Sequence, residues 1–129
     1  RRRPDGQPYG YNEIVRQDRQ GHRGEWNVRM RKGRPIQLGY FRVSNIADEP
    51  PQPLYAPYAH AGHLNYNVPI NTGISFPFRV IRDISVLPNP GDHELILCKA
   101  YFQLGFKWAN IFYCYFLLGH RQEIEFEPW

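Results

Sequence analysis

Along this chain, stretches in which apolar residues recur at every second position alternate with stretches in which they nearly vanish, which predicts short strands joined by long, punctuated connections. In EWNVRMR, residues 25–31, Trp26, Val28 and Met30 fall on one face and Glu25, Asn27, Arg29 and Arg31 on the other. That period of two is the signature of a half-buried strand, with a basic outer face and Trp26 directed to the core. Lys32, Gly33, Arg34 and Pro35 supply a turn, and IQLGYFRV returns as a second strand whose phase slips near Gly39, where a bulge is expected. The pair reads as a basic hairpin, with only one of Tyr40 and Phe41 able to point outward.

Later segments repeat the pattern. LNYNVPI alternates through Leu64, Tyr66, Val68 and Ile70 before the turn residues Asn71, Thr72 and Gly73. ISFPFRVIRDISVL follows as a strand, with Ile74, Phe76, Phe78 and Val80 in phase and Pro77 marking an edge or a bulge. PNPGD is a strong turn, HELILCKAYFQL a buried strand, and GFK or a slightly longer loop closes the next hairpin. WANIFYCYFLLGH, residues 108–120, is the most apolar stretch. It is too short for a membrane helix, which needs about 20 apolar residues. Ile, Phe, Tyr and Cys between turn-like Gly105 and Gly119 predict a central strand covered on both faces. Ile111, Tyr113, Tyr115 and Leu117 would point one way and Phe112, Cys114, Phe116 and Leu118 the other. RQEIEFEPW ends the chain as an amphipathic strand, Ile124 and Phe126 inward and Glu123, Glu125 and Glu127 outward.

Two regions break the alternation. Residues 1–24 hold little apolar content beyond Tyr9, Tyr11, Ile14 and Val15 and read as a mobile arm that orders only by docking. Residues 45–65 contain Pro50, Pro51, Pro53 and Pro57, which forbid a central strand. This segment is either a loop wrapped along the sheet, held by Leu54, Tyr55 and Tyr58, or a Pro-rich site for a protein partner or a second copy in a homo-oligomer. The predicted architecture is all-β: an antiparallel β-sandwich or barrel of about seven strands over residues 25–129, preceded by a flexible basic N-terminal arm. A chain of 129 residues can bury such a core without a metal or a disulfide framework. Its beginning at Arg1 reads as a piece of a longer protein.

Composition sharpens this reading in two ways. An aromatic share of 16% with 12 Pro and 11 Gly favours strands and turns over helices. Two Cys without close spacing behave as buried thiols, and point to an intracellular setting, cytoplasm or nucleus, or a virion. Cys98 and Cys114 would face each other only if the hairpin loop were the three residues GFK.

Charge changes the picture more. Residues 1–43 hold 11 Lys+Arg against 4 Asp+Glu, or +7, whereas residues 44–129 hold 5 against 8, or −3. A gathered positive surface of this kind meets polyanions, of which nucleic acid is the commonest. The opposing account is a solvated tail and a face that pairs with the protein's own carboxylates, for instance the terminal glutamates.

Candidate chemistry is sparse. His60 and His63 form H-x-x-H, two ligands where zinc takes three or four. No G-x-S-x-G elbow, phosphate-binding Gly loop or HExxH is present, and Asp92 and Glu94 read as turn residues. The expectation is therefore no catalytic residues, no metal, no cofactor and no enzyme activity. LGYFRV, VPINTGIS and IFYCYFLLG resemble fragments of the RNA-binding domain of coronavirus nucleocapsid proteins, in an order different from that family's. No residue role is carried over, and the sequence is assigned to no family.

The leading functional expectation is non-enzymatic binding of nucleic acid, RNA or another single strand. Arg1, Arg2, Arg3, Arg16, Arg19 and Arg23 would contact phosphates from the arm, Arg29, Arg31, Lys32, Arg34 and Arg42 would form the fixed basic face, and Tyr40 would be the aromatic partner. The alternative is a structural or assembly protein, such as a viral coat, matrix or nucleocapsid component, or a protein-interaction β-sandwich.

Overall fold

The computed structural model describes residues 8–18, 26–104 and 109–119. The chain is mostly β. Its strands are β1 (Tyr9–Glu13), β2 (Val15–Gln17), β3 (Trp26–Val28), β4 (Met30–Arg31), β5 (Arg34–Pro35), β6 (Gln37–Asn45), β7 (Gly62–Asn65), β8 (Ile81–Val86), β9 (Leu95–Leu104) and β10 (Ala109–Gly119). Six of them make one antiparallel sheet in the order β1-β6-β7-β8-β9-β10, and β2–β3 and β4–β5 form two small ribbons. The large sheet is open, since β1 and β10 are its two ends, and no barrel closes. Among the described residues, no helix is long and apolar enough to cross a membrane.

The phase slip expected at Gly39 is a bulge. Gly10 pairs with Phe41 and Asn12 with Leu38, so Gly39 and Tyr40 together oppose the single residue Tyr11. Gly39 takes φ +57°, a left-handed conformation that a side chain resists, and a Cβ there would also press on the Phe78 ring. The turn at PNPGD is equally legible: Gly91 has φ +83°, and the Asp92 amide donates to Asn89 O at 3.1 Å.

Each face of the sheet is covered by one connection. The Pro-rich segment lies on the face that carries Ile84 and Tyr101, where Ile46, Leu54, Tyr55 and Ala61 join them in the core, flanked by Tyr58 and Val86. It is thus a wrapped loop, with short 3-10 turns at Ile46–Asp48 and Ala56–Tyr58, and it runs directly into β7 at Gly62. On the same face the Lys99 ammonium donates to the Tyr58 hydroxyl at 3.0 Å. It also lies 5.1–5.7 Å from the ring centres of Tyr58, Tyr101, Phe112 and Tyr115. Such cation–ring contacts fasten β9 and β10 to the loop.

The opposite face is covered by residues 66–80, and here the expected strands are corrected twice. β7 ends at Asn65; Tyr66 and Val68 are buried as expected, but in a turn closed by Asn71 N–H to Val68 O at 3.1 Å. Gly73–Val80 forms a 3-10 helix with Pro77 inside it, and the strand begins only at Ile81. Pro77 offers no ladder donor, so this stretch leaves the strand ladder and lies on the face of the sheet, and Ile74 is left 82% exposed.

Asn71 holds that connection in place. Its side chain accepts from the Tyr40 amide at 2.9 Å and donates to Tyr40 O and Tyr66 O, both at 2.7 Å. A fully buried amide here replaces the β7 neighbour that β6 lacks before Arg42.

The largest correction concerns β10, which among the described residues is an edge strand, not a central one. It pairs with β9 from Ala109↔Leu104 to Gly119↔Leu95, with a bulge between Phe112 and Cys114. The bulge also changes the faces: Phe112, Tyr115 and Leu117 lie with Tyr101, Lys99 and Leu97, whereas the Tyr113 ring packs 4.9 Å from Phe102 on the other side with Cys114 and Phe116. Cys98 therefore pairs with Phe116 and not with Cys114, and both thiols are free. Burial pushes the Cys98 thiol up to about 12. The expected terminal strand at residues 121–129 lies outside the described residues.

Candidate nucleic-acid interface

At the β1 end the sheet dissolves into its two ribbons through a ring of three backbone hydrogen bonds. Ile14 N–H donates to Ile36 O at 3.0 Å, Ile36 N–H to Arg29 O at 2.9 Å, and Arg29 N–H to Ile14 O at 2.8 Å. From this junction β2–β3 leaves in one direction, with Val15↔Val28, Arg16↔Asn27 and Gln17↔Trp26 in register. β4–β5 leaves in the other, with Met30↔Pro35 and Arg31↔Arg34. Its two-residue tip, Lys32 at φ 53° and Gly33 at φ 74°, has the positive angles of a tight hairpin turn.

The basic hairpin expected from the sequence is therefore shorter and differently paired: β6 lies beside β1, and β3 beside β2. Residues 9–13 of the expected arm are a strand of the main sheet. Arg16, Arg29, Arg31, Lys32 and Arg34 are all exposed, and none of them has an ion-pair partner among the described residues. Arg1, Arg2, Arg3, Arg19 and Arg23 lie outside the described residues.

Two expected members are held elsewhere. Arg42 donates to Glu49 at 2.6 Å, and that carboxylate also accepts from the Ser44 hydroxyl and lies 3.3 Å from His63 Nδ1. Burial pushes Glu49 up, but the Ser44 hydroxyl, His63 and Arg42 outweigh it and hold the carboxyl below its usual range. His63 is fully buried against the Tyr55 hydroxyl at 3.1 Å, and burial lowers its pKa despite Glu49. Ser44 and His63 both address the same carboxylate, so the imidazole is not directed at the Ser44 oxygen as a nucleophile's base must be. Tyr40 is half-buried, its ring 6.1 Å from that of Tyr11 and its hydroxyl donating to Gln37 at 3.3 Å, and burial raises its pKa.

Trp26 is what the sequence pattern misplaced. Its alternation with Asn27 is real, but among the described residues β3 pairs only with β2, and the face shared by Val15, Val28 and Trp26 is left exposed. The indole is 66% exposed, beside the similarly exposed Val15, Val28 and Met30. Periodicity identifies an apolar face; it cannot identify whether a second layer covers it.

His60 and His63 diverge, the first exposed and the second buried, so H-x-x-H does not form a ligand pair. Among the described residues no three His, Cys, Asp or Glu side chains gather as metal ligands. Comparison with known proteins finds no family model, no curated protein and no solved structure that matches the chain.

Proposed function

We propose that the protein binds single-stranded nucleic acid, without catalysis, through the two ribbons at the β1 end. The observation that carries this reading is the combination of an exposed indole with five exposed cations, on neighbouring short strands, that have no ion-pair partner among the described residues. Arg16, Arg29, Arg31, Lys32 and Arg34 contact phosphates, and Trp26, taking the role first assigned to Tyr40, stacks on an unpaired base. Arg42, held in its pair with Glu49, is left out of the phosphate contacts.

Fluorescence anisotropy with labelled mixed-sequence RNA at low salt tests the reading. Binding should weaken steeply with salt, and replacing Arg29, Arg31, Lys32 and Arg34 together by Gln should flatten the log–log salt slope by roughly 3, at about 0.7 per lost phosphate contact. Absence of binding at low salt, or an unchanged slope in the variant, overturns it.

A further inference from the structure

We infer that β10 is a self-association edge, through which two copies of this chain pair antiparallel across a twofold axis normal to the sheet. The first observation is the edge itself: eleven residues long, with no strand beyond it among the described residues. Its row of backbone donors and acceptors is a template for another strand. The second is that Ile111, Phe112, Tyr113, Tyr115, Leu117 and Leu118 are 41–63% exposed and occupy both faces of the strand. Their open halves amount to roughly 600 Å² of apolar surface per copy, the most that a paired strand could cover, against the roughly 800 Å² per partner of a standard interface.

A second copy fits this edge on chemical grounds. β10 contains no charged residue and no proline, the usual devices that keep sheet edges apart, so two such strands meet without repulsion or a stranded ion. Pairing about an axis normal to the sheet continues like face with like: Phe112, Tyr115 and Leu117 meet their symmetry mates on one side, and Ile111, Tyr113, Phe116 and Leu118 on the other. The opposite edge is an unsuitable partner for β10. β1 faces a bulge, carries Glu13 and is preceded by Pro8, so head-to-tail stacking into filaments is disfavoured and closure at two copies is the expected result.

Sedimentation velocity on the full chain, nuclease-treated and in high salt to exclude bridging by nucleic acid, should show a concentration-dependent dimer of twice the 15.3 kDa chain mass. Leu117→Lys with Tyr113→Lys, both at exposed positions, should weaken that dimer about tenfold or more through like charges brought together at the seam. Circular dichroism of the variant should stay unchanged. Hydrogen exchange supplies a second readout: β10 amides should gain protection as protein concentration rises. A monomer at every concentration, protection independent of concentration as for an edge covered by the chain's own terminal residues, species growing beyond the dimer, or a dimer indifferent to both lysines would each overturn the inference.

Discussion

The two ends of the main sheet expose apolar side chains in opposite electrostatic company. At the β1 end Trp26, Val28 and Met30 are interleaved with Asn27, Arg29 and Arg31 on ribbons only two strands wide. At the β10 end a larger exposed apolar surface runs for eleven residues without a charge. Interspersed cations keep the first end hydrated and suit it to a polyanion; their absence leaves the second suited to another apolar edge. Exposure alone does not distinguish the two ends. What surrounds the exposed groups does.

The ends also differ in what holds them. The β1 end depends on buried polar contacts: Asn71 on Tyr40 and Tyr66, Asn12 donating to Gly39 O at 3.0 Å, and Ser75 accepting from the Gly39 amide at 3.3 Å. The β10 end depends on a long antiparallel ladder to β9 and on aromatic contacts.

Asn71→Ala should therefore have the largest effect, and it should fall on the β1 end. It leaves the Tyr40 amide and carbonyl and the Tyr66 carbonyl without their partners, at a cost of about 3 kcal/mol in urea unfolding. Native-state hydrogen exchange should accelerate in β1 and β6 well before β9 and β10 respond.

Asp83, on β8 between the two ends of the sheet, should give the next largest effect. Burial raises its pKa to about 6 from 3.8, opposed by the Tyr66 hydroxyl, and its Oδ1 has no hydrogen-bond partner among the described residues. The folded state holds this proton more tightly than the unfolded chain, so the associated stability is fully present below pH 3.8 and is lost as pH rises towards about 6. Asp83→Asn should accordingly raise stability by about 2 kcal/mol near neutral pH and by little in acid. Glu49 and His63, on the other face, have lowered values and lose stability as pH falls. The difference between variant and parent, measured by urea titrations across the acid range, isolates Asp83.

Trp26→Ala should leave unfolding within about 0.5 kcal/mol of the parent, because the indole is not packed. RNA affinity should fall by about 1 kcal/mol, roughly fivefold, by anisotropy. The smallest expected effect is Leu117→Lys on the stability of the dilute monomer, within about 0.5 kcal/mol, although the same change weakens self-association. A large loss of stability would mean that Leu117 is packed within the monomer.

Local backbone chemistry was readable in the sequence. Gly39 and PNPGD announced a bulge and a turn because only certain residues take those angles, and Leu54 and Tyr55 marked the Pro-rich segment as one that could wrap a core. The uneven distribution of charge was readable as well, since it is a count. Other assignments failed where alternation met an unforeseen neighbour. Trp26 and β10 have the hydrophobic pattern of covered strands, yet among the described residues one belongs to an exposed two-stranded ribbon and the other ends the sheet. Asn71 looked like a turn residue and is a buried bracket for β6.

From the sequence alone it follows that this chain is built of strands, where it bends, and that its positive charge is gathered in its first third. Only the tertiary structure decided which strands end the sheet, that Arg42 is claimed by Glu49, and that Trp26 and β10 face solvent. The reason is physical: turn angles and side-chain periods are set by neighbours along the chain, whereas burial and ion pairing depend on segments far apart in sequence that meet only when the sheet is assembled.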